Sequence, residues 1–441
     1  MTTAPILMQP LRKPIDARVR PPGSKSLTNR ALTLAMLARG ESVLRGPLWA
    51  DDPKQMLGGI TALGFEPSVQ DNGNTIKLNG HGGRFPAASS TPIKLHLGNA
   101  GTAYRFLTAA CCLGSGVYDL DGIARMRQRP IGQLVEPLRQ LGASVEYLDQ
   151  QGFPPLRVRG TGGLAGGSIT MSPTLSSQYI SALLQIGPCC EQGLTLNFQG
   201  PVTSKPYVEM TLALMQKFGA VTTTDNAFTT VRVEPGGYRG TDYDIEPDAS
   251  NASYFLAAGA IVPGSKCTVQ GLGRRSLQGD VGFADVLHQM GAGLAFGDDF
   301  ITILAPSGTS KLRGIDIDLN HMPDMAQTLA VVALFAIGPT TIRNVGNLRV
   351  KETDRLEALR IELTKLGATA EIDGDDLHIE PPSGNQLTPA AIDTYNDHRM
   401  AMSFAIAGLV SPGVTINDPD CVDKTFPDYF EYLARLGSPE S

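Results

Sequence analysis

The chain has 441 residues, 42% of them hydrophobic, with a formal net charge of −6. That is enough apolar material for roughly two to four domain-sized cores. The acidic balance, with no long basic run, argues against nucleic acid as the partner, and no apolar run approaches the ~18 residues a membrane span requires.

The first strong signal is Pro22-Gly23-Ser24-Lys25-Ser26-Leu27-Thr28-Asn29-Arg30, followed by an apolar run from Ala31 to Ala38. A Pro-Gly turn, small hydroxyl residues and then apolar residues predict a helix start. Its first N–H groups are unpaired and carry the positive end of the helix dipole. With Lys25 and Arg30 added, this end reads as an anion seat as well as a plain cap. It is not a Walker A loop, which needs G-x-x-x-x-G-K-[ST].

Further along, Leu63-Gly64, Leu141-Gly142, Phe218-Gly219, Met290-Gly291, Leu366-Gly367 and Leu436-Gly437 read as helix ends, spaced by 78, 77, 72, 76 and 70 residues. Glycine just past a helix suits the left-handed cap position. Hairpin-like stretches follow most of them, among them the segments at residues 69–74 and 371–379. Helix starts share the period. One series falls near Ser24, Asn99, Ser176, Asp248, Asp324 and Asp397, a second near Asp51, Arg129, Ser204, Gly279, Lys351 and Lys424. Six units of two helices and several short strands result, and three units per domain give two similar α/β domains. The sixth unit stops at its second helix, so the strand-like residues 6–19 are expected to supply its missing strands. The expected domains are residues 1–21 with 247–441, and residues 22–246.

The six cysteines, Cys111, Cys112, Cys189, Cys190, Cys267 and Cys421, include two adjacent pairs and no C-x-x-C. They suggest buried thiols, neither a zinc site nor a disulfide framework. Residues 1–20 lack the apolar core of a signal peptide, and a reducing cytoplasm is the expected setting.

The helix starts carry the chemistry. In the first half, Asn99 and Gly101 lie in a glycine-bracketed turn. Arg129 precedes a proline. Ser176, Ser177 and Gln178 open one apolar run, and Ser204 with Tyr207 opens another. In the second half, Asp324 stands before an apolar helix. Asn347, Lys351, Glu352 and Arg355 lie close together, with Lys351 and Arg355 expected on one helix face. His398 and Arg399 open a further helix, and Lys424 precedes the last. The cations Lys25, Arg30, Arg129, Lys351, Arg355, Arg399 and Lys424 recur at matched phases of different units. Folding that gathers them in one cleft would need polyanionic ligands to offset their repulsion. Asp324 and Glu352 among them are acid–base candidates.

Pro22-Gly23-Ser24-Lys25-Ser26, the run from Leu97 to Ala103, Arg129-Pro130-Ile131, Ser176-Ser177-Gln178, Lys351-Glu352-Thr353-Asp354-Arg355, the run from Asn396 to Ala401 and Lys424-Thr425-Phe426-Pro427-Asp428 together resemble the 5-enolpyruvylshikimate-3-phosphate synthases, a family of enolpyruvyl transferases. The resemblance spans about residues 6–437. It implies two domains of three βαβαββ units each, an inside-out α/β barrel, and enolpyruvyl transfer from phosphoenolpyruvate to the 5-hydroxyl of shikimate 3-phosphate with release of phosphate. By this resemblance Lys25, Ser26, Arg30, Ser176, Ser177, Ser204, Tyr207, Asp324, Asn347 and Lys351 hold shikimate 3-phosphate. Lys25, Asn99, Gly101, Arg129, Gln178, Arg355, Arg399 and Lys424 hold phosphoenolpyruvate, and His398 lines the same cleft. Asp324 takes the hydroxyl proton, and Glu352, with Lys424, is the candidate donor to the methylene. The two small anions are the implied partners of a monomeric enzyme that needs no metal or organic cofactor and closes its domains on binding. Gly101, having no side chain, implies a pocket open to the herbicide glyphosate. One departure counts against that forecast: where the family commonly has Arg-Pro after Gly-Thr-Ala, this chain has Tyr104-Arg105-Phe106, so the helix carrying Gly101 is expected to sit differently. Transfer to UDP-N-acetylglucosamine, the sister activity, relies on a loop cysteine, whereas Cys111 and Cys112 fall in an apolar helix. A non-catalytic or RNA-end-processing relative predicts a basic surface that this chain lacks.

Overall fold

The computed structural model describes residues 4–86, 90–172 and 174–437. Twelve α-helices are found among them. They are α1 (Lys25–Leu37), α2 (Asp51–Ala62), α3 (Gly101–Cys111), α4 (Gly132–Gln140), α5 (Ser177–Ile186), α6 (Lys205–Lys217), α7 (Ala249–Ile261), α8 (Phe283–Gln289), α9 (Ala326–Ala333), α10 (Arg355–Lys365), α11 (His398–Ala407) and α12 (Tyr429–Arg435). By contacts the chain divides into two compact units, Gly23–Ile245 and Met1–Pro22 with Glu246–Ser441.

The odd-numbered helices differ from the even-numbered ones in burial, and that difference defines the layers. In α7 every residue is buried, and α1, α3, α5, α9 and α11 are buried almost throughout. A helix apolar on all sides belongs in a core. Each fully buried large side chain, such as Leu32, Phe255 or Phe404, contributes roughly 1.5–3 kcal/mol. The even-numbered helices keep a wet face; α4 buries only Leu134, Val135, Pro137 and Leu138. Helices inside and sheets outside is the inside-out α/β arrangement. Buried hydroxyls tie the layers together: Ser181 on inner α5 lies 2.8 Å from Thr211 on α6, and Ser253 on α7 lies 3.0 Å from Thr328 on α9, both inner helices.

Among the described residues there are six sheets; five share one full pattern, and the sixth, Ile6–Leu7 with Val414–Ile416 and Ala390–Ile392, has three strands and stops after the first antiparallel one. A parallel pair continues into an antiparallel strand, which pairs with a second antiparallel strand. In one sheet, Ile93–His96 runs parallel to Val117–Asp121, which pairs with Leu156–Arg159, which pairs with Ser144–Tyr147. The hairpins expected at residues 69–74 and 371–379 are present, as Ser68–Gln70 with Thr75–His81 and Thr369–Asp373 with Asp376–Glu380.

Five of the six helix-ending glycines behave as the sequence predicts; Gly437, after α12, does not take the left-handed conformation. Gly64, Gly142, Gly219, Gly291 and Gly367 have φ between 90° and 111°. After each, the next N–H reaches back five residues, as in Ala143 N to Leu138 O at 3.0 Å and Ala292 N to Leu287 O at 3.0 Å. This is the Schellman closure that satisfies the last carbonyls.

The amino-terminal strands correct one expectation. Ile6–Leu7 pairs with Val414–Ile416 in the sixth repeat, but Asp16–Val19 runs parallel to Lys266–Gln270 in the fourth. The fourth repeat needs it, because its sheet otherwise lacks the parallel partner that every other sheet has. Ala17 and Val19 turn inward there while Asp16 and Arg18 face out. The first repeat is completed in the same way, by Tyr238–Arg239 and Asp242–Asp244 alongside Ala38–Arg45.

Close backbone approach fixes Gly80 in the strand Thr75–His81. A Cβ built there would lie 2.2 Å from the Ala35 carbonyl and 2.3 Å from that of Ala38. Gly80→Ala is expected to cost roughly 1–3 kcal/mol by overpacking, read as a lower urea midpoint with an unchanged m-value.

Candidate active site

In the unit Gly23–Ile245 the candidate residues gather at the beginnings of α1, α3, α5 and α6. Ser24 caps α1, its hydroxyl accepting from Leu27 N at 3.3 Å. Lys25, the first residue of the helix, points to Asp52 of α2 at 4.0 Å. Arg30, one turn further on, is built into the wall. Its Nε donates to Thr211 Oγ1 at 2.7 Å, one terminal nitrogen to the Ser26 carbonyl, and the other to Ser181 Oγ and the Tyr207 carbonyl. The ring of Phe106 lies 5.4 Å from the guanidinium carbon. All these partners are neutral, and burial pulls the Arg30 pKa down to about 10. The group still keeps its charge at neutral pH, so a buried cation stands behind the start of α1. Phe106 is buried within α3, which runs unbroken from Gly101 to Cys111.

Arg129 stands three residues before α4, at the end of the 3₁₀ turn Met126–Gln128. The expected proline-started helix begins later, at Gly132. The Arg129 side chain crosses to the α3 turn and donates to the carbonyl and the side-chain oxygen of Asn99, both at 3.2 Å. Gly101 leaves room for it: a Cβ there would lie 2.6 Å from Arg129 Nη2 and 2.7 Å from Arg105 Nη1. Ser176 caps α5 by accepting from Gln178 N, and the Gln178 amide donates to Thr102 Oγ1 at 3.2 Å. Ser177 is buried beside it. Asn99, Gly101, Arg129 and Gln178 therefore form one cluster. Ser204 holds the left-handed conformation at the start of α6, with φ 53° and ψ 45°. Its carbonyl accepts from Tyr207 N at 3.0 Å. A non-glycine residue kept there stores on the order of 1–3 kcal/mol of strain, a pattern found at ligand sites.

In the unit that holds Glu246–Ser441, Arg355 is the centre. Only 1% of its side chain is exposed. Nε donates to Asp397 Oδ2 at 2.7 Å, and Nη2 to Asp397 Oδ1 at 3.2 Å and to Glu352 Oε2 at 2.9 Å. Nη1 donates to Asp324 Oδ1 at 3.1 Å. Burial alone would lower its pKa, but Asp397, Glu352 and Asp324 outweigh that and raise it. Asp324 is shared: Arg399 Nη2 reaches its Oδ2 at 3.0 Å, and Lys351 Nζ lies 3.8 Å from its Oδ1. Arg399 also donates to the Tyr254 hydroxyl at 3.4 Å. His398 is the first residue of α11 and is wholly buried, its Nδ1 3.7 Å from Asp397 Oδ1. Asn347 is buried in the 3₁₀ turn Gly346–Val350. Lys424 is half-buried at the end of the 3₁₀ turn Pro419–Lys424, and the next residue, Thr425, accepts from Asn251 of α7.

Two local readings need correction. Lys351 and Arg355 do not share a helix face, because α10 begins only at Arg355. Asp354 stops the helix there by capping it, accepting from Glu357 N at 3.2 Å, so Lys351 and Glu352 lie on the loop ahead. Asp397 was legible only as a cap. It does accept from Arg399 N at 2.9 Å, but a capping carboxylate has lone pairs to spare, and these make the two-point grip on Arg355. Thr102, Asp52 and Tyr254 were not singled out either. Their hydroxyls and carboxylate carry no local pattern, and only folding brings them to Gln178, Lys25 and Arg399.

Cationic side chains and helix N-termini, with carboxylates set among the cations of one unit, define a protein that binds small anions and moves protons beside them. The family model for EPSP synthase (3-phosphoshikimate 1-carboxyvinyltransferase) matches residues 11–433. The chain is 50% identical over 423 residues to the 3-phosphoshikimate 1-carboxyvinyltransferase of Serratia proteamaculans, covering 96% of each chain. It is 49% identical over 424 residues to that of Shewanella denitrificans, again covering 96% of each. The fold is similar to that of an EPSP synthase from Acinetobacter baumannii, with a TM-score of 0.80 at 26% identity, covering 99% of this chain and 98% of that one. The chain belongs to the EPSP synthase family.

Asp397→Ala would uncap α11 and leave buried Arg355 without its two-point partner. A loss of about 3–5 kcal/mol in unfolding free energy is expected, measured by denaturant titration.

Proposed function

We propose that this chain transfers the enolpyruvyl group of phosphoenolpyruvate to the 5-hydroxyl of shikimate 3-phosphate and releases phosphate, a step of the shikimate pathway to aromatic amino acids. Membership of the EPSP synthase family supports the reaction. The observation that carries the residue assignment is Asp324, a carboxylate on which Arg355, Arg399 and Lys351 converge.

In this reading Lys25, Ser26, Arg30, Ser176, Ser177, Ser204, Tyr207, Asn347 and Lys351 hold shikimate 3-phosphate, Arg30 through its charge behind the α1 start. Lys25, Asn99, Gly101, Arg129, Gln178, Arg355, Arg399 and Lys424 hold phosphoenolpyruvate. A proton from Glu352, with Lys424 as the other candidate donor, adds to the methylene carbon, and the enol carbon becomes electrophilic. The 5-hydroxyl oxygen attacks that carbon and gives its own proton to Asp324. The tetrahedral intermediate carries both the new ether and the phosphate. The carbon–oxygen bond to phosphate then breaks and its electron pair leaves with the phosphate, the methyl group gives a proton back to the Glu352 carboxylate, and the double bond returns. Each step shifts charge among oxygens that face fixed cations, where a preorganised field lowers the barrier most. Substrate oxygens that engage Arg355 and Arg399 loosen their hold on Asp324 and Glu352, which frees both carboxylates for proton transfer. His398, buried against Asp397, steadies the first turn of α11, which carries Arg399. The proposal includes a monomeric, cytoplasmic enzyme whose partners are these two anions, without nucleic acid or membrane.

Phosphate release from phosphoenolpyruvate with shikimate 3-phosphate, run beside a UDP-N-acetylglucosamine control, tests the reaction directly. Release only with the UDP-sugar would overturn it. Asp324→Asn is expected to lower kcat by about 10²-fold or more while shikimate 3-phosphate still binds by calorimetry; unchanged turnover would remove Asp324 from the chemistry. Gly101→Ala should push Arg129 aside and raise the KM for phosphoenolpyruvate on the order of ten- to a hundredfold, seen in initial rates.

A further inference from the structure

Glu362 lies seven residues after Arg355 on α10 and projects toward the same side of the helix. Both side chains grip the segment at residues 393–397, which leads into α11. Arg355 holds its far end through Asp397. Glu362 holds its near end. No part of the Glu362 carboxylate side chain is exposed. Its Oε2 accepts from Asp393 N at 3.1 Å, and its Oε1 accepts from the Tyr395 hydroxyl at 2.6 Å and from Lys365 Nζ at 2.9 Å. Lys365 in turn donates to Asp393 Oδ2 at 2.7 Å, so the near end is bound to α10 at several points.

Between the two grips, the backbone takes a conformation that side-chain-bearing residues rarely adopt. Tyr395 has φ 55° and Asn396 has φ 53°, two left-handed residues in succession, neither of them glycine. Such a pair persists only where its surroundings over-determine it. The Asp397 N–H closes the turn onto the Thr394 carbonyl at 2.9 Å, and the next residues are His398 and Arg399. The strained pair thus fixes the direction in which α11 leaves the loop. Burying a carboxylate is costly unless its lone pairs are used, and the Glu362 carboxylate spends its bonds on this loop and on the lysine that also grips it.

We infer that Glu362 is a positioning residue: through Asp393 N–H and the Tyr395 hydroxyl it holds the left-handed pair in place, and so sets how Asp397 meets Arg355 and how His398 and Arg399 are presented. The inference rests on the function proposed above, in which Arg355 and Arg399 hold phosphoenolpyruvate. Burial and the neighbouring Glu362 carboxylate both raise the Tyr395 phenol pKa, so the hydroxyl remains a donor across the working pH range.

The test uses the full-length enzyme and three variants, Tyr395→Phe, Glu362→Ala and Glu362→Gln, in the phosphate-release assay with each substrate varied in turn. Tyr395 is 38% exposed, so Tyr395→Phe removes one hydrogen bond without opening the core. It should raise the KM for phosphoenolpyruvate about threefold or more, with the KM for shikimate 3-phosphate within about twofold and Tm nearly unchanged. Glu362→Ala should lower kcat/KM for phosphoenolpyruvate by about tenfold or more. Glu362→Gln, which keeps an acceptor and the shape, should fall between the alanine variant and the parent. A fall in Tm with kcat and both KM values intact would overturn the inference and leave Glu362 a purely structural residue. A loss shared equally by both substrates would also overturn it. Should Glu362→Ala fail to fold, Tyr395→Phe alone decides. If the parent enzyme shows no turnover, the proposed function falls and this inference with it; an active parent with unaltered variants sinks this inference alone.

Discussion

A guanidinium removed from water has to be met by opposite charge, and meeting Arg355 organises the whole active end of its unit. Burying an unpaired ion costs several kcal/mol or more. Three carboxylates converge on this one, and they come from three places in the chain: Asp324 ahead of α9, Glu352 ahead of α10 and Asp397 at the cap of α11. The ion cluster therefore ties the beginnings of three helices together. Asp324 extends the tie to Arg399 and Lys351. Three cations face three anions, so this part of the site is close to neutral before any ligand arrives.

The other unit handles one of its buried cations, Arg30, differently. Arg30 is as deeply enclosed, yet it rests on hydroxyls and carbonyls from α1, α5 and α6 with no carboxylate among them. A buried positive charge with neutral supports is a standing field that favours an incoming anion. One unit therefore sets its buried Arg355 among carboxylates, while the other sets Arg30 among neutral acceptors. That contrast suits a reaction in which anions must be both held and acted on by acids and bases.

What could be read from the sequence was what short-range physics dictates. Schellman glycines, capping residues such as Ser24, Ser176, Asp248 and Asp397, and the Asp373 to Asp376 turn are all local agreements between side chain and backbone, and they exposed the repeat. The signals failed where a residue serves two masters. Asp397 looked like a cap because it is one; its grip on an arginine 42 positions away leaves no mark nearby. Lys351 and Glu352 looked helical because charges were spaced four apart, but Asp354 claimed the cap and put them on a loop. Arg30 looked like an open cation, and only the packing of three helices revealed that its nitrogens are taken. The destination of Asp16–Val19 was equally hidden, since a two-faced strand of four residues fits any sheet that lacks one.

That short strand has a consequence for the way the molecule is made. Ile15 meets Ser265, 250 residues later in the chain, and at ordinary translation speeds of 5–20 residues per second the partner emerges roughly ten to fifty seconds afterwards. The Gly23–Ile245 unit meanwhile contains every strand that its own sheets require, so it can close while synthesis continues. The opening strands must wait as bare edges through that interval, and charged residues such as Asp16 and Arg18 on the outward face are the kind of deterrent that keeps a waiting edge from pairing with the wrong neighbour.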